Sequence, residues 1–209
     1  MNDFITIDFE TATKKPESAI SIGLVKYRNY RPISYYYSLI RPPKLYISPK
    51  FTEIHGLTID DVKDAPDFGY IWKNEVKKFI GKSLLAAHNA SFDMKILKAV
   101  LNWYEFPIPK LSFFCTLVLA RFAWPKLMSH SLEALAKNFK IIFNHHNALD
   151  DALVCGKLVQ LAAEKFDPEK GIEESLIDLG VGINRLDCTE ENWRIIDILV
   201  DLGRFVGPI

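Results

Sequence analysis

Residues 4–10 of the chain read FITIDFE, an apolar, β-branched run that ends in two carboxylates. The run predicts a short buried strand over residues 4–9. Side chains two positions apart on a strand share a face, so Asp8 and Glu10 should face one way and Phe9 the other. Neighbouring carboxylates repel each other unless a cation lies between them, and their oxygens suit Mg²⁺ or Mn²⁺. On this pattern alone, a metal site and a solvated strand end both stay open.

The segments that follow predict an α/β fold with a mixed sheet flanked by helices. Residues 18–27 and 33–41 are rich in Ile, Val and Tyr and are separated by a polar turn, which predicts an antiparallel hairpin beside the first strand. A further buried strand is expected over residues 83–87. Helical stripes of apolar residues predict helices over residues 67–80, 92–103, 116–122, 132–139 and 147–165. Three strands followed by helices that alternate with strands indicate a sheet covered by helices.

The charge of the chain is unevenly distributed. The 209 residues carry 26 Lys and Arg and 26 Asp and Glu. Residues 1–166 hold 22 basic and 16 acidic side chains, whereas residues 167–209 hold 4 and 10. We therefore predict a basic body over residues 1–166 and an acidic C-terminal appendage over residues 167–209, with a helix at 190–202. The basic excess is compatible with a polyanionic partner but does not require one.

Several protein classes are excluded by composition. No stretch without a charged residue is longer than ten residues, the length of residues 111–120, whereas a membrane-spanning helix needs about 20 apolar residues. The acidic N-terminal segment argues against a secretory signal. The cysteines Cys115, Cys155 and Cys188 are far apart, which argues against a disulfide framework or a zinc site. We expect a reduced, cytoplasmic protein with no membrane partner.

Two more polar clusters follow segments that are predicted to be buried. His88-Asn89-Ala90-Ser91-Phe92-Asp93 comes directly after a strand, and Asp93 should lie in the first turn of the next helix. Helix capping by Asn89 or Ser91 is the alternative explanation of this cluster.

The other cluster is His146-Asn147-Ala148-Leu149-Asp150-Asp151. His146 and Asp151 can face a common site if the histidine precedes the helix and the aspartate lies in its early turns. The histidine would then suit a general base, because its pKa lies near neutrality. Charge complementarity between Asp150, Asp151 and the start of the helix is the alternative explanation. Taken together, the three clusters offer four carboxylates and one imidazole, the groups that a two-metal phosphodiester hydrolase needs.

The same clusters resemble the motifs of the DEDDh 3′→5′ exonucleases, a ribonuclease H-like family that includes the proofreading subunit of bacterial DNA polymerase III. The resemblance rests on residues 7–11, 88–93 and 146–152, with supporting blocks at residues 54–58, 116–121 and 130–136. The blocks occur in the order of the family and span roughly residues 3–164. The resemblance implies a ribonuclease H-like sheet whose first three strands are antiparallel and whose later strands are parallel.

The resemblance also implies a role for each motif residue. Asp8 would bridge two divalent metal ions, Mg²⁺ or Mn²⁺, and Glu10 and Asp151 would complete the site of the ion that activates the nucleophile. Asp93 would hold the second ion, and His146 would take the proton of the attacking water. The catalytic set is therefore Asp8, Glu10, Asp93, His146 and Asp151, and its four carboxylates form the metal set.

Substrate contacts are implied at six further positions. These are Phe9, Thr11, His55, Leu57, Asn89 and Phe92. Because Asp8 and Glu10 face the site, the Phe9 side chain should point away, which leaves its backbone as the contact. His55 lies near the 3′-terminal nucleotide in the family, and helix capping is its alternative role.

The function that follows from the resemblance is hydrolysis of single-stranded DNA from a free 3′ end to give 5′-mononucleotides. An exoribonuclease of the ribonuclease T or oligoribonuclease kind would carry the same five residues, and a non-catalytic nucleic-acid-binding module on the same fold is a further alternative. DNA or RNA 3′ ends are the expected partners, with a DNA polymerase subunit as another. The appendage would dock on the body or a partner, or would compete with nucleic acid for the basic body.

Overall fold

The computed structural model describes residues 2–188, which form one six-stranded sheet with helices on both faces. The strands are β1 (Phe4–Thr11), β2 (Ala19–Arg28), β3 (Arg31–Leu39), β4 (Leu85–Ala87), β5 (Ser112–Cys115) and β6 (Asn184–Arg185). The helices are α1 (Pro49–His55), α2 (Ile59–Val62), α3 (Phe68–Ile71), α4 (Lys77–Ile80), α5 (Ser91–Trp103), α6 (Thr116–Ala123), α7 (Leu132–Asn138), α8 (Ala148–Ala162) and α9 (Ile172–Asp178). A π-helical turn, Trp72–Val76, joins α3 to α4.

The strand order is β3-β2-β1-β4-β5-β6. β1 pairs antiparallel with β2 and parallel with β4, β2 pairs antiparallel with β3, and β5 pairs parallel with β4 and antiparallel with β6. The predicted mixed sheet, with three antiparallel strands followed by parallel ones, is confirmed. Because β1 and β4 are parallel neighbours, their carboxyl ends meet at one edge, and this is where the sequence places its first two polar clusters.

β1 separates the two main hydrophobic clusters. Ile5, Ile7 and Phe9 pack into the cluster that contains α3, α4 and α5, whereas Phe4 belongs to the cluster on the opposite face, beneath α6 and α8. The alternation of side chains along the strand therefore turns Asp8 toward the α8 side of the sheet. This is the parity that the sequence predicts.

α8 lies unusually close to the strands it covers. A β-carbon on Gly23 of β2 would overlap the backbone of Ala148 at the start of α8, and one on Gly156 would overlap the ring of Tyr27. The Tyr27 hydroxyl donates a hydrogen bond to the carbonyl oxygen of Leu153 at 3.2 Å. Gly23, which pairs with Asp8, thus lets the N-terminal turn of α8 approach the end of β1, and Gly156 lets the middle of the helix approach Tyr27.

Some elements have no counterpart in the sequence-based prediction. β5 is four residues long, β6 is two, and neither shows a detectable alternation. α9 lies in the segment assigned to the appendage, and its Ile172 and Leu176 pack into the cluster beneath α8. The helix predicted over residues 190–202 falls outside the described residues, and the domain boundary at residue 166 stays a prediction. None of the described helices combines the length and the apolar character that crossing a bilayer requires.

Candidate active site

Three carboxylates meet where the end of β1 faces the start of α8. Oxygen atoms of Asp8, Glu10 and Asp151 all lie within 4.8 Å of one another. Asp8 and Glu10 share a face of β1, and the first turn of α8 supplies Asp151. That turn is fixed by Asn147, whose side-chain oxygen accepts hydrogen bonds from the amides of Leu149 and Asp150 at 3.1 and 3.3 Å. The N-cap thus places Asp151 opposite the strand.

Asp93 is the fourth carboxylate, and it approaches the same strand from α5. Its side chain is buried, and its Oδ1 accepts a hydrogen bond from the Phe9 amide at 3.1 Å. Asp93 therefore lies directly beside the backbone that separates Asp8 from Glu10. α5 begins after Ala90 without a side-chain cap, and Asn89 adopts the left-handed region at φ 61°. Neither Asn89 nor Ser91 caps this helix, so capping does not account for the cluster.

Crowding and burial make this group of carboxylates reluctant to ionise. Burial first, and then the charges of Asp93, Asp151 and Glu10, raise the pKa of Asp8 well above its usual range. Burial and the nearby Asp151 raise the pKa of Glu10 to about 8. Burial raises the pKa of Asp93, and it raises that of Asp151 to about 7 although the His146 amide opposes the shift. Bound cations would relieve the repulsion between these carboxylates and favour their ionised forms.

The hydrogen bonding of the two Asp151 carboxylate oxygens indicates whether these residues fit a metal ion. Its Oδ2 accepts a hydrogen bond from the His146 amide at 3.0 Å. Its Oδ1 is buried and has no hydrogen-bond partner among the described residues. A buried carboxylate oxygen without a partner is costly, and a cation held jointly with Asp8 and Glu10 would satisfy it. The all-oxygen donor set fits Mg²⁺ or Mn²⁺.

His146 stands at the rim of this carboxylate cluster. Its Nδ1 lies 3.8 Å from Glu10 Oε1, and its backbone adopts the left-handed region at φ 66°. Its ring stacks on that of His145, with the two centroids 3.9 Å apart. Burial, His145 and His55 lower the pKa of His146. The imidazole is therefore neutral near pH 7 and able to accept a proton.

A groove of about 300 Å³, which we call the acidic groove, opens over Asp8, Glu10, His146 and Asp151, whereas the buried Asp93 is not part of its lining. Of the predicted substrate contacts, Phe9, Thr11 and Phe92 line it, and the Phe92 side chain is 48% exposed. The Phe9 side chain packs in the core, so only its backbone side reaches the groove. Asn89, His55 and Leu57 lie outside its lining.

The surroundings of His55 and Leu57 explain their placement. The Nδ1 atom of His55 accepts a hydrogen bond from the Leu57 amide at 3.0 Å, which is a turn-stabilising arrangement. Leu57 packs against the small core cluster around Ile47 and Val62. The Nε2 atom of His55 is buried, and a hydrogen bond with the backbone of Thr11 opposes the lowering of the His55 pKa by burial, so this histidine is held close to a residue that lines the groove.

Several groove residues lie outside the predicted set. They are Phe51, Ile54, His88, Leu132 and His145. The spacing of three between Phe51 and Ile54 on α1 puts both on one helical face, a signal that the sequence carries. His88 lies within a motif, and its two ring nitrogens contact Thr116 Oγ1 and the carbonyl oxygen of His130 at 3.1 and 3.0 Å. Burial lowers its pKa to about 4, so His88 is a neutral structural residue of the wall.

Comparison with known proteins connects this geometry to a family. The family model described as "Exonuclease" matches residues 5–159. Two PolC-type DNA polymerases III are similar: that of Clostridium perfringens is 29% identical over 176 residues, and that of Bacillus subtilis is 32% identical over 174 residues. These matches cover 83% and 81% of this chain but only 12% of either polymerase.

Solved structures agree with the sequence comparison. Exonuclease X in complex with 5′ overhanging duplex DNA superposes with a TM-score of 0.65 at 26% identity, covering 84% of this chain and 98% of that one. Exonuclease I superposes with a TM-score of 0.69, covering 78% of this chain and 41% of the Exonuclease I chain. At 16% identity this match shows similarity of fold alone. The predicted ribonuclease H-like fold is thereby confirmed. With its mixed sheet and its four converging acidic residues, the chain belongs to the exonuclease family, as a member of the DEDDh 3′→5′ type.

Proposed function

We propose that this protein hydrolyses phosphodiester bonds from the 3′ end of single-stranded DNA, or of a frayed duplex end, and releases 5′-mononucleotides. The observation that carries the proposal is the meeting of Asp8, Glu10 and Asp151 within 4.8 Å, beside buried Asp93 and below His146. A structural ion-pair network would supply these carboxylates with Lys or Arg partners, but the one ion pair that they form among the described residues is between Glu10 and the His146 imidazole, at 3.8 Å.

Two divalent cations, Mg²⁺ or Mn²⁺, would be held by these carboxylates. The charges of Glu10, Asp93 and Asp151 all act on Asp8, so Asp8 would contribute to both sites, Glu10 and Asp151 to one of them and Asp93 to the other. When bound, such ions lower the pKa of a coordinated water and stabilise charge on the leaving oxygen. The hydrogen bond from the Phe9 amide to Oδ1 of Asp93 holds this carboxylate beside β1, where it would meet the second ion.

His146 would act as the general base. Its lowered pKa keeps the ring neutral, and Nδ1 is the ring nitrogen that faces Glu10 at 3.8 Å. Nδ1 would accept the proton of the attacking water, and the partly exposed ring would pass it to solvent. The hydrogen bond from the His146 amide to Asp151 ties the position of the base to that of a carboxylate.

The 3′-terminal nucleotide would lie in the acidic groove, against the exposed ring of Phe92 and the backbone of Phe9. Thr11 lines the same groove, whereas His55 and Leu57 would contact a nucleotide only at its edge, and Asn89 would orient the loop that leads to α5. The resemblance to PolC-type polymerases and to Exonuclease X in its DNA complex supports DNA as the substrate and a polymerase subunit as a partner. We assign catalysis to residues 1–166, an appendage role to residues 167–209, and a cytoplasmic location to the protein.

The test is a cleavage assay on the full chain. A 5′-labelled, single-stranded DNA oligonucleotide should shorten one nucleotide at a time with Mg²⁺ or Mn²⁺ and stay intact with a chelator. A 3′-terminal phosphate should block the reaction. A matched RNA oligonucleotide, assayed under single-turnover conditions, decides between the two polymers. If RNA is cleaved faster than DNA, RNA is the substrate. If both the DNA and the RNA oligonucleotide stay at full length with metal present, the proposal is overturned.

A further inference from the structure

A second groove, larger than the acidic groove, lies on the same side of the molecule. Its volume is about 600 Å³, and it is bounded by the loop 13–18 after β1, the segment 43–51 that leads into α1, and Trp103 at the end of α5. We call it the lysine groove. No motif of the catalytic site falls within it.

The walls of the lysine groove are tied together by hydrogen bonds. The Ser18 hydroxyl donates to the Lys15 carbonyl oxygen at 2.6 Å and accepts a hydrogen bond from the Thr13 amide at 3.1 Å. The Ser48 amide donates to the carbonyl oxygen of Ala12 at 2.9 Å, which joins the second wall to the first. The groove is therefore a formed surface rather than a gap between loose loops.

The charge of this groove is strongly positive. Lys14, Lys15, Lys44 and Lys50 line it together with one acidic residue, Glu17. All four lysines are exposed, and none forms an ion pair with another residue of the part of the chain that the structure describes. Four cations against one carboxylate in a single concavity favour a polyanion as the occupant.

Aromatic rings stand among these lysines. Trp103 is 55% exposed and Tyr46 is 47% exposed, and the ammonium group of Lys44 lies 5.9 Å from the centroid of the Tyr46 ring. Exposed aromatic rings between cations are what an unpaired polynucleotide uses, since bases stack on the rings while phosphates contact the cations. An acidic peptide would use the lysines but would leave the rings without a role.

The lysine groove continues directly into the acidic groove. Phe51 of α1 lines both of them, and Thr11 in one is two residues from Thr13 in the other. A strand whose 3′ end lies at Asp8 would therefore leave the acidic groove across Phe51 and enter the lysine groove with its preceding nucleotides.

From this continuity we infer that the lysine groove binds the single-stranded DNA that precedes the 3′-terminal nucleotide, with its phosphates on the four lysines and its bases on Trp103 and Tyr46. The inference deepens the proposed function and rests on it, because it takes the occupant to be the substrate strand. The groove would make long substrates bind more tightly than short ones, and it would take no part in the chemical step.

The test measures DNA binding and cleavage separately. Binding of a 5′-fluorescein (dT)₁₂ oligonucleotide to the full chain is followed by anisotropy in the presence of chelator, so that no cleavage is needed. The groove variant carries Lys14→Gln, Lys15→Gln, Lys44→Gln and Lys50→Gln. The matched control carries four substitutions at exposed lysines that line neither groove, Lys77→Gln, Lys78→Gln, Lys82→Gln and Lys165→Gln.

We expect the groove variant to bind at least about tenfold more weakly than the control, with a smaller dependence on salt. Each neutralised phosphate of a single strand contributes about 0.7 to the slope of log K against log salt. Removing four lysines should therefore reduce the magnitude of that slope by up to about 3. Trp103→Ala should weaken binding of (dT)₁₂ about five- to a hundredfold and leave binding of an abasic strand of the same length unchanged.

The outcomes separate the two proposals. If the groove variant and the control bind (dT)₁₂ equally well, the lysine groove is not the path of the strand, whatever the cleavage assay gives. If Trp103→Ala weakens the abasic strand as much as (dT)₁₂, the stacking role is wrong. If the groove variant loses binding while the wild-type protein cleaves no 3′ end, the groove stands as a DNA site and the nuclease proposal fails.

Discussion

The acidic groove and the lysine groove share Phe51 and differ in nearly everything else. In the acidic groove the charges are partly or fully buried, crowded and short of partners, so their pKa values rise. In the lysine groove the charges are exposed and spread along the walls. Under the two proposals, the crowded, buried carboxylates take part in the chemistry and the spread, exposed lysines attract the polymer, so the two grooves should respond to opposite kinds of substitution.

The largest effect should follow Asp8→Ala. Asp8 is the proposed shared ligand of the two cations, so its loss should remove both sites at once, and we expect cleavage to fall at least about a thousandfold. Binding of (dT)₁₂ in chelator should stay within about twofold of wild type or become tighter, because a negative charge is removed. Rates from single-turnover assays and dissociation constants from anisotropy check the two parts. Comparable rates for variant and wild type would contradict the assignment of this site.

The next effect should follow His146→Ala. Loss of a general base costs about a hundred- to ten-thousandfold in rate, and the loss should shrink as the pH rises and hydroxide replaces the base. His145→Ala is the matched control, because its ring stacks on that of His146 and is not the one facing Glu10. Rate measurements from pH 6 to 9 distinguish the two histidines. Equal losses for both variants would mean that the stacked pair, rather than His146, carries the role.

A substitution away from both grooves should disturb the acidic one alone. Gly23→Ala would push a β-carbon into the backbone of Ala148, so α8 must shift and carry Asp151 with it. We expect a loss of about 1–3 kcal/mol in the free energy of unfolding, together with lower activity and unchanged binding of (dT)₁₂. Denaturant unfolding measures the first part.

Gly69→Ala is the control for that substitution. Its β-carbon would lie 2.8 Å from the Tyr104 ring, a side chain that can move, on the face away from Asp151. It should cost less stability and leave the cleavage rate unchanged. A Gly23→Ala protein with wild-type stability would show that the close approach of α8 to β2 is not required.

The smallest effect concerns pH and stability. The pKa of Glu10 is raised to about 8 and that of Asp151 to about 7, so the folded state favours their protonated forms. Their contribution to stability is complete below the pKa of the unfolded carboxyl groups, about 4, and is lost as the pH rises through the folded values. Between pH 6.5 and 8.5 the metal-free protein should lose up to about 1.4 kcal/mol per pH unit for each proton released.

Thermal unfolding across that range, in chelator and with Mg²⁺, measures the slope. Mg²⁺ should flatten it, since a bound cation replaces the protons, and Asp8→Asn should flatten it without metal. The range begins at pH 6.5 because the pKa of His88 is lowered to about 4, so its effect on stability has the opposite sign and is confined to lower pH. A melting temperature that rises with pH in chelator would contradict the raised carboxyl values.

Much of this fold could be predicted from the sequence because its central elements have clear periods. β1 to β3 are eight to ten residues long and rich in β-branched side chains, and α5 and α8 carry regular apolar stripes. β5 and β6 could not be predicted, because four and two residues are too few to establish an alternation. Their pairing depends on neighbours that are distant in the chain.

The site shows the same division. Asp8, Glu10, Asp93 and Asp151 could be chosen by residue type and by their position at the ends of buried segments. For Phe51 the sequence carries a weaker signal, its spacing of three from Ile54, because α1 is only seven residues long and follows an irregular segment. The lysine groove is the extreme case: it is assembled from residues 13–18, 43–51 and Trp103. A basic excess predicts an anionic partner but not the place where that partner binds.

The hydrogen bond from the Phe9 amide to Asp93 decides how an alanine scan of the carboxylates must be interpreted. At Asp93, alanine would remove a carboxylate and would also leave the Phe9 amide of β1 without its acceptor. A loss of activity there would therefore have two causes. Asparagine would keep the acceptor oxygen and remove only the charge. At this one position, the difference between the two substitutions measures what the carboxylate contributes as scaffolding.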